Sequence, residues 1–241
     1  MAFLRAIRRL LTLAFVAGVM LTLLLVYVMP RLPPQDLPWT PLDLDQPIGR
    51  VTAGKLAGID GPACRMLLDQ ADIAYRLLPD TRRDDCGYDD GVAWTAGGRR
   101  ELRYAPAAPP LACPLAAGLV LWEREVVTPA AEQRLGARVV AIDHYGSYSC
   151  RRMYGRSTGD WSEHARARAL DVAGFRLSDG RLVSVARDWR RKGPESRFLH
   201  DVRDGACRLF ATVLSPDYNA AHRDHLHLDE AKRGALWRAC R

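Results

Sequence analysis

The sequence predicts an α+β domain: a small, mostly antiparallel sheet flanked by helices, set behind one N-terminal transmembrane helix. Three observations carry this. Asp179-Gly180 lies between two short apolar runs and is a strong hairpin-turn signal. The β-branched cluster Val139, Val140 and Ile142 replaces a helical apolar period with strand-forming residues. Residues 10–29 form an uncharged run whose only polar side chains are two threonines.

As a helix rising ~1.5 Å per residue, that run is roughly 30 Å long, the thickness of a bilayer's hydrocarbon layer. Arg5, Arg8 and Arg9 precede it, and only Arg31 appears in the stretch that follows, so the positive-inside tendency keeps the N-terminus cytoplasmic and exports the rest. A cleaved signal peptide is the rival reading. It ordinarily ends in a small-x-small site, whereas this run leaves through Val26-Tyr27-Val28-Met29-Pro30, so residues 1–29 are read as a cytoplasmic stub and an uncleaved anchor. Residues 30–47 contain six prolines, a composition that favours extended geometry and reads as a linker. Residues 48–241 are long enough to bury one domain's core.

All six cysteines lie beyond the apolar run, and none forms a C-x-x-C pair. In an exported chain this even count predicts three disulfides. The nearest-neighbour scheme, Cys64–Cys86, Cys113–Cys150 and Cys207–Cys240, is the expected pairing. The formal charge of +7 comes from arginines scattered among acids. Nucleic-acid binding would need a concentrated basic patch with interleaved aromatics, so no nucleic-acid partner is expected.

Along the domain, apolar spacing predicts a helix over 64–78 ended by Pro79, an apolar segment over 113–122 and a proline-opened helix over 129–135. A strand follows at 138–142, then strands at 170–175 and 182–185 joined by the Asp-Gly turn. Residues 197–214 suit an amphipathic helix stopped by Pro216. The last strand is expected at 225–228, with a short helix from there to Cys240.

Chemistry concentrates at two places. His225 and His227 are two apart in a predicted strand and so project to one face. Ser162-Glu163-His164 is followed, seven residues after the histidine, by Asp171. Catalytic zinc commonly takes three nitrogen or carboxylate ligands and keeps a fourth position for water, and His164, Asp171 and one histidine of the pair supply that set.

Ser-x-His-x6-Asp followed by a late His-x-His resembles the metallopeptidase superfamily of lysostaphin, D-alanyl-D-alanine peptidases and the hedgehog signalling domain. The whole exported domain, cysteines included, more closely resembles the bacterial extensin-like C-terminal domain family. The stretches that carry this run from Ser147 through Cys150-Arg151, from Ser162 through Asp171 to Phe175, and from Asn219 through His222-Arg223-Asp224-His225-Leu226-His227 to Asp229. The resemblance implies Zn2+ held by His164, Asp171 and His227, with His225 assisting catalysis and Arg151 contacting substrate or the developing oxyanion. Two positions depart from the wider pattern. Ala167 replaces a glycine, and Asp224 stands where carboxypeptidases carry a glutamate base, one methylene longer. His225 is therefore the expected general acid/base and Asp224 the second choice.

The expected protein is a single-pass inner-membrane zinc peptidase with its domain in the periplasm. It would hydrolyse amide bonds in peptidoglycan stem peptides or crosslinks, as carboxypeptidase or endopeptidase. The alternative is a non-catalytic zinc-containing module that binds cell-wall peptide or a partner protein. His222 reads equally as a partner that orients a ligand or as an exposed loop histidine, His144 and His200 as structural or solvated, Glu163 as a solvated carboxylate, and Trp189 as core packing.

Overall fold

The computed structural model describes residues 2–37, 39–231 and 239–241. It opens with α1 (Ala2–Leu23), whose helical path continues through Arg31. The segment Phe3–Arg31 contains an 18-residue window of mean hydropathy 2.5 with no buried residue, so it is long and apolar enough to cross a membrane or to act as a signal sequence. There follow α2 (Thr52–Gly58), α3 (Gly61–Gln70), β1 (Ile73–Leu77), β2 (Thr81–Arg83), β3 (Cys86–Tyr88), β4 (Gly91–Gly98), β5 (Arg103–Ala105) and β6 (Leu111–Ala112). Next come α4 (Cys113–Trp122), α5 (Thr128–Leu135), β7 (Val139–Gly146), β8 (Ala169–Leu177), β9 (Leu182–Ser184), α6 (Val185–Asp188), α7 (Pro194–Ala206), β10 (Thr212–Leu214), β11 (Leu226–Asp229) and β12 (Ala239–Cys240).

The main sheet runs β12-β10-β11-β8-β7-β5, with β9 added on β8. Its pairings are antiparallel except β5 with β7 and β10 with β12. A smaller antiparallel sheet, β1-β4-β6, and the hairpin β2-β3 lie beside it. The fold is thus mixed α/β with mostly antiparallel sheets.

Every residue of α4 is buried, which its unbroken apolar sequence requires: a helix without a polar face must be surrounded. Trp122 at its end meets Phe175 of β8, and Phe175 meets Phe198 of α7 edge-on at 5.0 Å. This packing leaves the other face of β8 free for polar groups. In α7, Gly205 lies against Val126, and a Cβ there would stand 2.2 Å from Val126 Cγ1. Gly205→Ala gains about 1 kcal/mol of helix propensity. It also incurs the upper end of the roughly 1–3 kcal/mol overpacking cost, because valine is stiff at χ1. A net loss of about 2 kcal/mol is expected in urea unfolding of the oxidised chain.

Several sequence-based boundaries move. The helix expected over 64–78 ends at Gln70, because Asp72 turns left-handed at φ 54° and residues 73–77 pair with β4 as a strand. The helix expected over 197–214 is Pro194–Ala206, and Thr212–Leu214 is instead a strand between β11 and β12. The strand expected at 225–228 is shifted by one residue, to Leu226–Asp229. The short helix expected after it falls on 232–238, outside the described residues, and Cys240 itself lies in β12.

Three disulfides form, but two differ from the nearest-neighbour scheme: Cys64–Cys113, Cys86–Cys150 and Cys207–Cys240. Tertiary packing overrides chain proximity here. α3 lies on α4, bringing Cys64 to Cys113, and β3 meets the segment around the 163–166 turn, near Cys150. The chain also joins the core before residue 48, with Leu42 and Leu44 buried among the residues around α4.

Candidate metal centre

In the β8–β11 ladder, His227 stands directly opposite Asp171. Leu170, Val172, Leu226 and Leu228 are fully buried on the core face, so strand alternation turns Asp171, His227 and Asp229 to the other face. The third group comes from outside the sheet. A 3-10 turn, Glu163–Arg166, precedes β8, and Ser162 caps it by accepting the His164 N–H at 3.3 Å. The chain leaves this turn through Ala167 at φ 52°, a left-handed conformation that costs a residue with a Cβ roughly 1–2 kcal/mol. That conformation accounts for glycine in the wider pattern. Alanine, the smallest residue with a Cβ, keeps the turn.

His164 Nδ1 lies 3.0 Å from the Ser147 carbonyl oxygen, which can only accept, so Nδ1 carries the proton and Nε2 presents its lone pair to the site. Nε2 is 3.2 Å from His227 Nδ1 and 3.2 Å from Asp171 Oδ2. His227 donates from Nδ1 to Asp171 Oδ1 at 2.9 Å and from Nε2 to Asp229 Oδ2 at 3.0 Å. Burial pushes the His227 imidazolium down, but the hydrogen bonds and charges of Asp171 and Asp229 outweigh it and raise its pKa to about 9. Burial likewise works against the Asp171 carboxylate, and the two imidazoles beside it, His164 and His227, outweigh that and hold it far below the usual carboxylate range.

A stability prediction for the metal-free chain follows. The folded value of His227 exceeds its ordinary 6.5, so the stabilisation is complete below about pH 6.5 and is lost as pH rises through about 9. With a chelator present, the melting temperature should fall between about pH 7 and 10, and saturating zinc should remove most of that fall by replacing the proton. An unchanged melting temperature over that range would contradict the charged His227.

The three groups fit a divalent cation. Their ligand atoms lie within 4.8 Å of one another, and the three closest approaches are 2.9–3.2 Å. A tetrahedral ion with bonds of about 2.0–2.1 Å needs ligand atoms about 3.3 Å apart. Only the proton on His227 Nδ1, which it donates to Asp171, must leave. Asp229, 2% exposed, then remains on His227 Nε2, the arrangement that fixes a metal-ligating histidine in one tautomer.

This cluster forms the floor of a cleft of about 950 Å³. Arg151, Tyr154, Trp161 and Tyr218 line its walls together with His222 and His225. His225 Nε2 is 3.5 Å from Asp171 Oδ1, while its Nδ1 lies 2.9 Å from Asp224 Oδ1. Asp224 therefore backs His225 and does not itself line the cleft. Arg151 is exposed on the cleft wall. The structure thus brings His164, Asp171, His225, His227 and Arg151 to one cleft and sets Asp224 behind it.

Two participants were missed or left undecided by sequence reasoning. Asp229 had a signal, since it lies two residues beyond His227 on the same strand face. His222 is 9% exposed, with its ring 5.2 Å from that of His225 and its Nδ1 donating to Asn219 Oδ1 at 2.8 Å. Burial, followed by the charges of His227 and His225, lowers its pKa to about 4, so it is neutral at physiological pH. Trp189 is a core residue, stacked on His200 at 4.1 Å.

Fold and cleft together define a disulfide-stapled α/β domain that presents a preorganised His-Asp-His cluster to solvent. The family described as extensin-like protein C-terminus matches residues 62–241, and the chain belongs to it. No curated protein and no solved structure matches the chain.

Proposed function

We propose that this chain is a zinc-dependent peptidase that hydrolyses amide bonds in peptidoglycan stem peptides or crosslinks, anchored in the inner membrane with its domain in the periplasm. The observation that carries the reading is the convergence of His164 Nε2, the Asp171 carboxylate and His227 Nδ1 on the floor of an open cleft, with a further imidazole beside them. The resemblance of these residues to the lysostaphin and D-alanyl-D-alanine peptidase superfamily supplies the substrate class. Three disulfides agree with an oxidising, exported location.

In this reading His164, Asp171 and His227 hold the ion, Ser147 and Asp229 keeping the two imidazoles oriented. Zinc supplies Lewis acidity toward water and toward the scissile carbonyl. His225 takes a proton from the attacking water and returns it to the leaving amine, and Asp224 fixes the imidazole so that Nε2 faces the reacting atoms. Arg151, on the wall, offers a cation to the carboxylate of the peptide or to the developing oxyanion. A non-catalytic, peptide-binding module has one observation in its favour, namely that Asp224 faces His225 and not the cleft, leaving one candidate base. Digestion of purified muropeptides by the detergent-solubilised chain, read by mass, separates the two. Cleavage that a chelator stops and zinc restores supports the peptidase, while tight binding without any mass change would sink it.

A further inference from the structure

The proline-rich stretch after the apolar helix does not hang free. Gln35 is fully buried and its side chain bonds the Asp43 carbonyl oxygen. Lys55 of α2 donates to the carbonyl oxygens of Leu37 at 2.9 Å and Thr40 at 2.6 Å, and Asp36 accepts the Val51 N–H at 3.2 Å. Arg124 reaches the carbonyl oxygens of Leu44 and Gln46, and Leu42 and Leu44 enter the core. The segment is clasped to the domain from Gln35 onward, so only Leu32, Pro33 and Pro34 separate Arg31 from the first anchored residue.

Chain length then limits where the domain sits. The helical segment Phe3–Arg31 has 29 residues, about 44 Å at the helical rise, which equals a bilayer with both headgroup layers included. From Arg31 to Gln35 the chain can extend no more than about 14 Å. Beside this junction stands Trp39, 68% exposed on a turn that Lys55 holds rigid, together with the exposed Arg50 and Val51. Arg50 makes no hydrogen bond or ion pair among the described residues, and the nearby Asp36 carboxylate is occupied by a backbone N–H. An exposed indole, with an exposed cation and aliphatic side chain on the segment that Asp36 and Lys55 tie to its turn, is the chemistry that partitions into a phospholipid headgroup layer.

We infer that the corner formed by Trp39, Arg50 and Val51 docks on the headgroup surface of the same membrane that the N-terminal helix crosses. This goes beyond the peptidase reading and rests on the helix being an uncleaved span. The partner is a lipid surface, preferentially anionic because the exposed cations Arg31 and Arg50 lie beside the junction.

The test uses the full chain reconstituted in phosphatidylcholine–phosphatidylglycerol vesicles, with and without lipid brominated on the acyl carbons nearest the headgroup. Bromolipid should quench the tryptophan emission of the wild type, and Trp39→Phe should lose most of that quenching while melting at the same temperature. Arg50→Glu should weaken it in anionic vesicles but leave it unchanged in neutral ones. Equal quenching of wild type and Trp39→Phe, in chains retained by the vesicles after alkaline carbonate washing, would overturn the docking alone. Release by carbonate, or an intact mass lacking the N-terminal residues after expression, would overturn the span and the docking with it. Metal-dependent muropeptide cleavage is unaffected by either outcome, so failure here is distinguishable from failure of the peptidase reading.

Discussion

Asp171→Asn should abolish stoichiometric zinc binding and, with it, any amide hydrolysis. Asp171 is the one anionic member of the proposed ligand set and touches both imidazoles, at 3.2 Å and 2.9 Å. Four-ligand zinc sites bind with about 10–16 kcal/mol, so each ligand is worth roughly 3–4 kcal/mol, and losing one weakens binding roughly 10²- to 10³-fold. Asparagine keeps the size of the side chain and removes the charge. It also removes the main hydrogen-bonded support for the His227 imidazolium, whose pKa should drop from about 9 toward its ordinary value in the metal-free variant. Elemental analysis after dialysis checks the first effect and histidine proton chemical shifts against pH check the second. One zinc per chain in the variant would rule out Asp171 as a ligand.

Asp229→Asn should weaken zinc binding by about 10- to 100-fold while leaving all three ligands in place. The buried Asp229 carboxylate accepts from His227 Nε2 through one oxygen and from the Ala231 N–H through the other. Asparagine has a single oxygen for these two donors, so either the imidazole loses its brace or the turn after β11 loses its bond. Chelator competition gives the affinity. A purely structural role would lower the melting temperature of the metal-free chain and leave the affinity of the surviving folded protein unchanged.

Local pattern brought the two proposed ligands of the sheet, Asp171 and His227, into view because they sit where a short-range rule applies, whereas His164 comes from a 3-10 turn. His225 and His227 alternate with Leu226, and Asp171 alternates with Leu170 and Val172, so a period of two already separates a polar face from a core face. Asp229 obeys the same rule and could have been included. His222 could not be decided in this way. It is brought to the cleft by the 3-10 turn Ala220–His222, and its burial depends on packing beside His225. The errors in element boundaries have the same origin. Residues 73–77 and 212–214 are apolar enough to continue a helix, and they become strands because β4 and β11 supply backbone partners from distant sequence. Cysteine pairing is more remote still, since Cys64 meets Cys113 only after α3 has settled on α4.

The clasp between the proline-rich stretch and its own domain leaves the molecule no slack. A domain of about 200 residues has a radius of gyration near 16 Å, hence a breadth of about 40 Å. On the proposed reading, a domain seated on lipid would sample only strands that pass within roughly that distance, and its turnover would be governed by delivery of material into a thin shell beside the bilayer. Glycine–serine spacers of increasing length placed between Leu32 and Pro33 would widen that shell without touching the cleft.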